Sequence, residues 1–179
     1  TIVVQGKPLV VVQPVANKSK AQDIGKISLG RMYIKDYYWG NNERLVIAAR
    51  FAQRNPVFKG VTNFTRLLIV DWDGKNPISI NMKPNQWGVY RQHPSVLHPL
   101  PNDDKHVLAL LDDREDDWFL PHVHKVNLYT GEKSFQQKNT RRIQFWLSDN
   151  DGNILVGRKI DTRGSTETTT YYRPTVENE

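Results

Sequence analysis

The 179-residue sequence predicts an all-β fold, a partial β-propeller of about three to four antiparallel four-stranded blades. Three observations lead there. Short runs rich in Val, Ile, Leu, Tyr, Phe and Thr recur at intervals of about 8–12 residues, most of them bounded by Gly, Pro, Asn or Asp. No long segment carries the 3.6-residue apolar period of an amphipathic helix. Two kinds of turn alternate along the chain in a degenerate repeat, as they do when four-stranded meanders follow one another.

The first strand signals are "TIVV" at 1–4 and "LVVVQPV" at 9–15, read as N-terminal strands of a first partial blade over residues 1–25. Residues 14–24, "PVANKSKAQDI", form the one stretch that reads as helical or irregular. The blades proper are expected over 26–174, with 175–179 as a tail. Their strand signals are "KISLGRMYI" (26–34), "RLVIAARF" (44–51), "RLLIVDW" (66–72), "HVLALL" (106–111), "HKVNLY" (124–129), "IQFWLSD" (143–149), "ILVGRKI" (154–160) and "TETTTYYR" (166–173). Long connections are expected at 52–64, 83–99 and 112–123, where Trp87, Trp118 and Phe119 would pack against the domain's own core.

The repeat carries most of the weight. "YYWGNNERLVIAAR" (37–50) sets an aromatic strand end, a polar turn and an apolar strand in a row. "HPLPNDDKHVLALL" (98–111) repeats the turn and the second strand, and "QFWLSDNDGNILVGRKI" (144–160) repeats all three. A second hairpin follows each: "LLIVDWDGKNPISI" (67–80), "HKVNLYTGEKSFQQ" (124–137), and a third that begins at "TTTYYR" (168–173). Asn, Asp and Gly suit both turns because they tolerate positive φ. In the first hairpin Leu67, Ile69 and Asp71 fall on one face and Leu68, Val70 and Trp72 on the other, with Asp73 as a turn former. The opening of the chain without Met reads as a processed or excised product. An open fan of blades leaves strand edges that invite self-association.

Net charge is +6, unevenly spread: residues 1–100 hold 14 Lys+Arg against 5 Asp+Glu, and residues 101–179 hold 11 against 14. The basic residues of the first half (Lys35, Arg44, Arg50, Arg54, Lys59, Arg66) are scattered singly, and no nucleic-acid-binding motif accompanies them, so a solvated sheet surface is the reading. No window approaches the ~18 apolar residues of a membrane span. Absence of cysteine excludes disulfides, thiol catalysis and Cys-ligated zinc.

The residues offer little chemistry of their own. The nucleophile elbow G-x-S-x-G is missing, and "GKISLG" (25–30) has the wrong spacing, which leaves Ser28 a structural strand residue. His122 and His124 lie two apart on one strand face and could share a metal with a third ligand such as Asp116, Asp117 or His98; the plainer expectation is solvent-facing histidines beside a hairpin. His93, His98 and His106 have no patterned partner. The cluster Asp112, Asp113, Glu115, Asp116, Asp117 lacks the order of a calcium loop and reads as solvated. "DWDG" and "DNDGN" read as turns. No catalytic, cofactor-binding or metal residue is assigned.

Taken together, "WGNNERLVIAARF…RLLIVDWDGKN", "HPLPNDDKHVLALLDD…HKVNLYTGEK" and "FWLSDNDGNILVGRKI…TYYRP" resemble the N-terminal propeller of bacterial S9 (prolyl-oligopeptidase-like) serine peptidases, over roughly 26–174. The dipeptidyl and acylaminoacyl peptidases of that family are the nearest in pattern. The resemblance implies a parent peptidase, periplasmic or secreted, whose downstream α/β-hydrolase domain carries a Ser-Asp-His triad. The propeller would cap that domain and admit only short peptides; it implies no cofactor and no catalytic residue in this chain. The alternative is a stand-alone β module that binds a protein, peptide or glycan through aromatic loops.

Overall fold

A computed structural model of the chain describes residues 2–4, 6–14, 24–54, 59–80, 94–112, 120–160 and 167–174. The expected all-β fold is what these residues form. Fourteen strands make four antiparallel sheets, each a simple meander in chain order. Sheet A holds β1 (Ile2–Val4), β2 (Lys7–Val12) and β3 (Gly25–Ser28). Sheet B holds β4 (Tyr33–Trp39), β5 (Arg44–Arg54), β6 (Val61–Asp71) and β7 (Ile78–Ser79). Sheet C holds β8 (Ser95–His98), β9 (His106–Leu111), β10 (His122–Asn127) and β11 (Lys133–Gln137). Sheet D holds β12 (Phe145–Ser148), β13 (Ile154–Ile160) and β14 (Thr168–Tyr172). Among the described residues there is no helix, hence none long and apolar enough to cross a membrane.

The sheets stack face to face in the order A, B, C, D, and each interface is an apolar core. Val10, Ile27 and Leu29 of the sheet A region meet Leu45, Ile47, Ala49 and Val70 of sheet B. The opposite face of sheet B, through Val46, Ala48, Leu67 and Ile69, meets Val107, Ala109, Leu111 and Val126 of sheet C. Leu108 and Val123 on the far face of sheet C meet Ile154 and Trp146 of sheet D. The alternation of a strand sends successive side chains to opposite neighbours. That is why six consecutive residues of β5, Arg44–Ala49, are all buried. A sheet covered on both faces needs a continuous apolar run rather than an alternating one. Serial stacking of four-stranded meanders, with the first strands β8 and β12 in contact, is the layout of propeller blades. The chain is a partial β-propeller of four blades, the outer two with three strands each among the described residues.

Several expectations about local structure need correction. The run "KISLGRMYI" is not one strand: it divides at Leu29–Met32 between β3 of sheet A and β4 of sheet B, with Gly30 at φ +62 in the turn. The long connection expected over 52–64 is mostly paired, because β5 and β6 continue as a ribbon through Phe51↔Phe64, Ala52↔Asn63, Gln53↔Thr62 and Arg54↔Val61. Cross-strand aromatic and β-branched pairs sustain it beyond the core. The connection expected over 83–99 contains β8, the first strand of sheet C. In the one over 112–123, β10 already begins at His122. The irregular stretch at 15–23, the aromatics Trp87, Trp118 and Phe119, and the tail at 175–179 lie outside the described residues.

Candidate functional site

The turns joining the first and second strands of sheets B, C and D share one construction. In each, an Asx side chain accepts backbone N–H groups just ahead of it. Asn41 Oδ1 accepts from Glu43 and Arg44 at 2.9 and 2.7 Å. Asp103 Oδ1 accepts from Lys105 at 3.1 Å, and Asp149 Oδ1 from Asp151 and Asn153 at 3.0 and 2.8 Å. Asx turns of this kind replace lost backbone partners locally. The second hairpins match as well: Gly74 (φ +89) and Gly131 (φ +74) take the positive-φ positions expected of "DG" and "TG". Asp73 is a turn former, accepting from the Lys75 N–H at 3.0 Å and pairing with its ammonium at 2.7 Å.

These turns also join one blade to the next. Asn41 Nδ2 donates to Asp104 O at 2.5 Å and to Tyr129 Oη at 2.9 Å, crossing from sheet B to sheet C. Asn102 Nδ2 donates to Asp151 Oδ1 at 2.7 Å, crossing from C to D. Arg44 is the centre of the B–C junction and is only 2% exposed. Its Nε and Nη2 donate to Leu128 O at 3.0 and 2.8 Å, and its Nη1 donates to Asp71 Oδ1 and to Asn76 O. The Tyr129 ring lies 5.5 Å from its guanidinium carbon. A planar guanidinium spreads five N–H donors over a fixed fork, enough for the two bonds to Leu128 O and those to Asp71 and Asn76, whereas an ammonium has three donors on one atom. In sheet C the equivalent cross-strand pair is His106↔Asn127, and Asp103 there accepts from His106 Nδ1 at 2.9 Å and from Lys125 Nζ at 2.7 Å. Burial works against the Asp103 carboxylate, but the hydrogen bonds from Lys125, His106 and the Lys105 amide outweigh it and hold the carboxyl well below the usual range. Asp149 is likewise lowered, chiefly by the Asn153 side chain.

The histidine pair is not where sequence placed it. His122 and His124 are buried, at 0% and 4% exposure, rather than solvent-facing. Both rings stand edge-on to Phe135, with centroids 5.7 and 5.4 Å away. His122 Nδ1 accepts the Asn139 N–H at 3.0 Å, and His124 Nδ1 lies 3.3 Å from His122 O. Their strand face continues into Val126, part of the B–C core, which is why the pair points inward. Among the described residues no three His, Cys, Asp or Glu side chains gather as metal ligands. Asp116 and Asp117 lie outside those residues, and His98 Nδ1 instead accepts the Leu100 N–H at 3.1 Å. Of the acidic cluster, Asp112 is buried at the end of β9, not solvated, and 113–117 lie outside the described residues, as does His93. Ser28 ends β3, exposed, with Oγ 3.5 Å from the Gly30 amide.

Two of the clefts lined by described residues could hold a ligand. One, about 480 Å³, opens at the short-turn rim beside Trp39, Asn41, Asn42, Leu100 and Asp104. The other, about 440 Å³, lies at the C–D junction between the 137–143 connector and strands β13 and β14. Sequence reading missed both, along with the Arg44 junction. The one signal available for the latter was an Arg at the head of an apolar strand, placed by the hairpin opposite Asp71. Compared with family models, with curated proteins and with solved structures, the chain matches none.

Proposed function

We propose that the chain is the non-catalytic propeller portion of an exported S9-type serine peptidase, capping and gating an α/β-hydrolase domain that lies outside it. The observation that carries this reading is the unfinished stack. Residues directly opposite in antiparallel pairs share a face, so Leu147, Val156 and Tyr172 form one row, and Phe145 with Arg158 the next. This face points away from sheet C and leaves Phe145, Leu147 and Tyr172 exposed by 50%, 64% and 69%. Apolar rows of this kind belong under another layer. A further blade fits, since the same type of face is covered at each of the three interfaces within the chain. The absent nucleophile elbow agrees with a supporting rather than a reacting part.

The test is the complete reading frame. The full-length product is expected to hydrolyse dipeptidyl or acylaminoacyl chromogenic substrates and to react with a fluorophosphonate, while residues 1–179 alone do neither. A frame ending near Glu179 without a hydrolase domain would sink the proposal. The second reading, a stand-alone module for a protein, peptide or glycan, draws on the Trp39 cleft. Micromolar binding lost in Trp39→Ala, together with a short reading frame, would establish it instead.

A further inference from the structure

The cleft at the C–D junction has a chemistry that no part of the propeller reading uses. Its floor is apolar, built from Ile143, Trp146 and Ile154. Its rim is cationic: of the described residues that line it, Lys138, Arg141 and Arg173 are bases and none is a carboxylate. Neutral groups hold two of these cations in place. Arg173 Nη2 donates to Gln137 Oε1 at 3.0 Å, across from one sheet to the other. The Arg141 guanidinium stacks on the Tyr171 ring at 4.7 Å, which fixes its plane and leaves its N–H edge available. A separate observation comes from the floor. The Trp146 indole Nε1–H is buried and has no acceptor among the described residues. A buried donor without a partner is costly, and such groups commonly mark a site completed by something else.

We infer that this cleft binds a small organic anion, a carboxylate or phosphate on an apolar body, with the anionic group between Arg141 and Arg173 and the body over the Trp146 floor. The volume of about 440 Å³ lies within the range of small-ligand sites. Charge-assisted hydrogen bonds from two guanidinium groups supply orientation, and the apolar floor supplies the discrimination against inorganic ions. The inference stands independently of the peptidase reading, because it concerns only residues within this chain.

Titration calorimetry on the 179-residue chain tests it, with benzoylglycine, phenyl phosphate, inorganic phosphate and neutral benzoylglycinamide as probes. Saturable binding of benzoylglycine or phenyl phosphate is expected below about 10 mM. The tighter of the two identifies the anionic group. Arg141→Gln and Arg173→Gln, both at exposed positions, should each weaken it roughly tenfold. Trp146→Phe, which removes the donor together with one of the two fused rings, is expected to weaken it severalfold. Equal affinity for benzoylglycinamide or for inorganic phosphate overturns the inference. So does affinity unchanged in the Arg141→Gln/Arg173→Gln double variant, or no saturation by any probe.

Discussion

Arg44 and Asp71 face each other across the β5–β6 ladder, and Arg44 also hydrogen-bonds Leu128 O of the neighbouring sheet. One side chain thus closes a hairpin and fastens two blades. Removing one member of a buried ion pair strands the other and typically costs about 3–5 kcal/mol. Asp71 keeps a quarter of its side chain exposed, so the lower end applies. Arg44→Ala is expected to lower stability by about 3 kcal/mol in urea titration. Arg44→Lys should recover less than half of that, because three donors on one nitrogen cannot reproduce the four bonds that the guanidinium fork spreads over Leu128, Asp71 and Asn76. Full recovery by Lys would show that charge alone matters.

Asn41 and Tyr129 form a smaller link beside it, at 2.9 Å between Nδ2 and Oη. Tyr129 Oη in turn lies 3.2 Å from Glu43 Oε2. Asn41→Ala also removes the turn's own acceptor for two amides, so it should cost about 1–2 kcal/mol, against less than about 1 kcal/mol for Tyr129→Phe. The double-mutant cycle should return a coupling of about 0.5–1 kcal/mol. A coupling of zero would mean the blade-to-blade bond contributes nothing.

Asp103 makes stability depend on acid. Its carboxyl is lowered in the folded protein, so the native state takes up the proton less readily than the unfolded chain. The contribution is therefore complete above the unfolded aspartate range, near pH 4, and is lost progressively as pH falls below it. Wild type should exceed Asp103→Asn by about 1–2 kcal/mol at neutral pH. That difference is expected to narrow steadily from about pH 4 towards pH 2. A gap that stays constant over this interval would contradict the assignment.

Gly25 allows sheet A to approach sheet B. A Cβ there would stand 2.1 Å from Trp72 O and 3.1 Å from the Asp73 Cα, both backbone atoms that cannot rotate aside. Gly25→Ala should cost about 2–3 kcal/mol and expose residues 1–30 to limited proteolysis ahead of the rest. Ser28→Ala, exposed on the same strand, serves as the neutral comparison. Equal proteolysis of the two variants would show that the close approach does not hold sheet A in place.

Much of the architecture was legible in the sequence, because a propeller's turns advertise themselves locally. Asn41, Asp103, Asp149, Gly74 and Gly131 occupy positions that demand Asx acceptors or positive φ, and these residue types mark them. Strand faces in the first hairpin were legible for the same reason: Leu67 and Ile69 do face sheet C, and Leu68 and Val70 do face sheet A. What escaped was non-local. Nothing near Arg44 in sequence announces Leu128, 84 residues away. The "HVH" alternation is that of a surface strand, yet His122 and His124 are interior because sheet B covers that face of sheet C. Strand length escaped too, since polar residues such as Gln53 and Asn63 continue the β5–β6 ladder beyond its apolar part.

Because β5 is walled on both sides, the molecule behaves as a one-dimensional array in which every layer leans only on its immediate neighbours. In such an array, loss of order starts at the outer layers and travels inward. Amide hydrogen exchange should therefore be fastest in β1 and β14 and slowest around Val46–Ala49, whose protection reports the opening of the whole array.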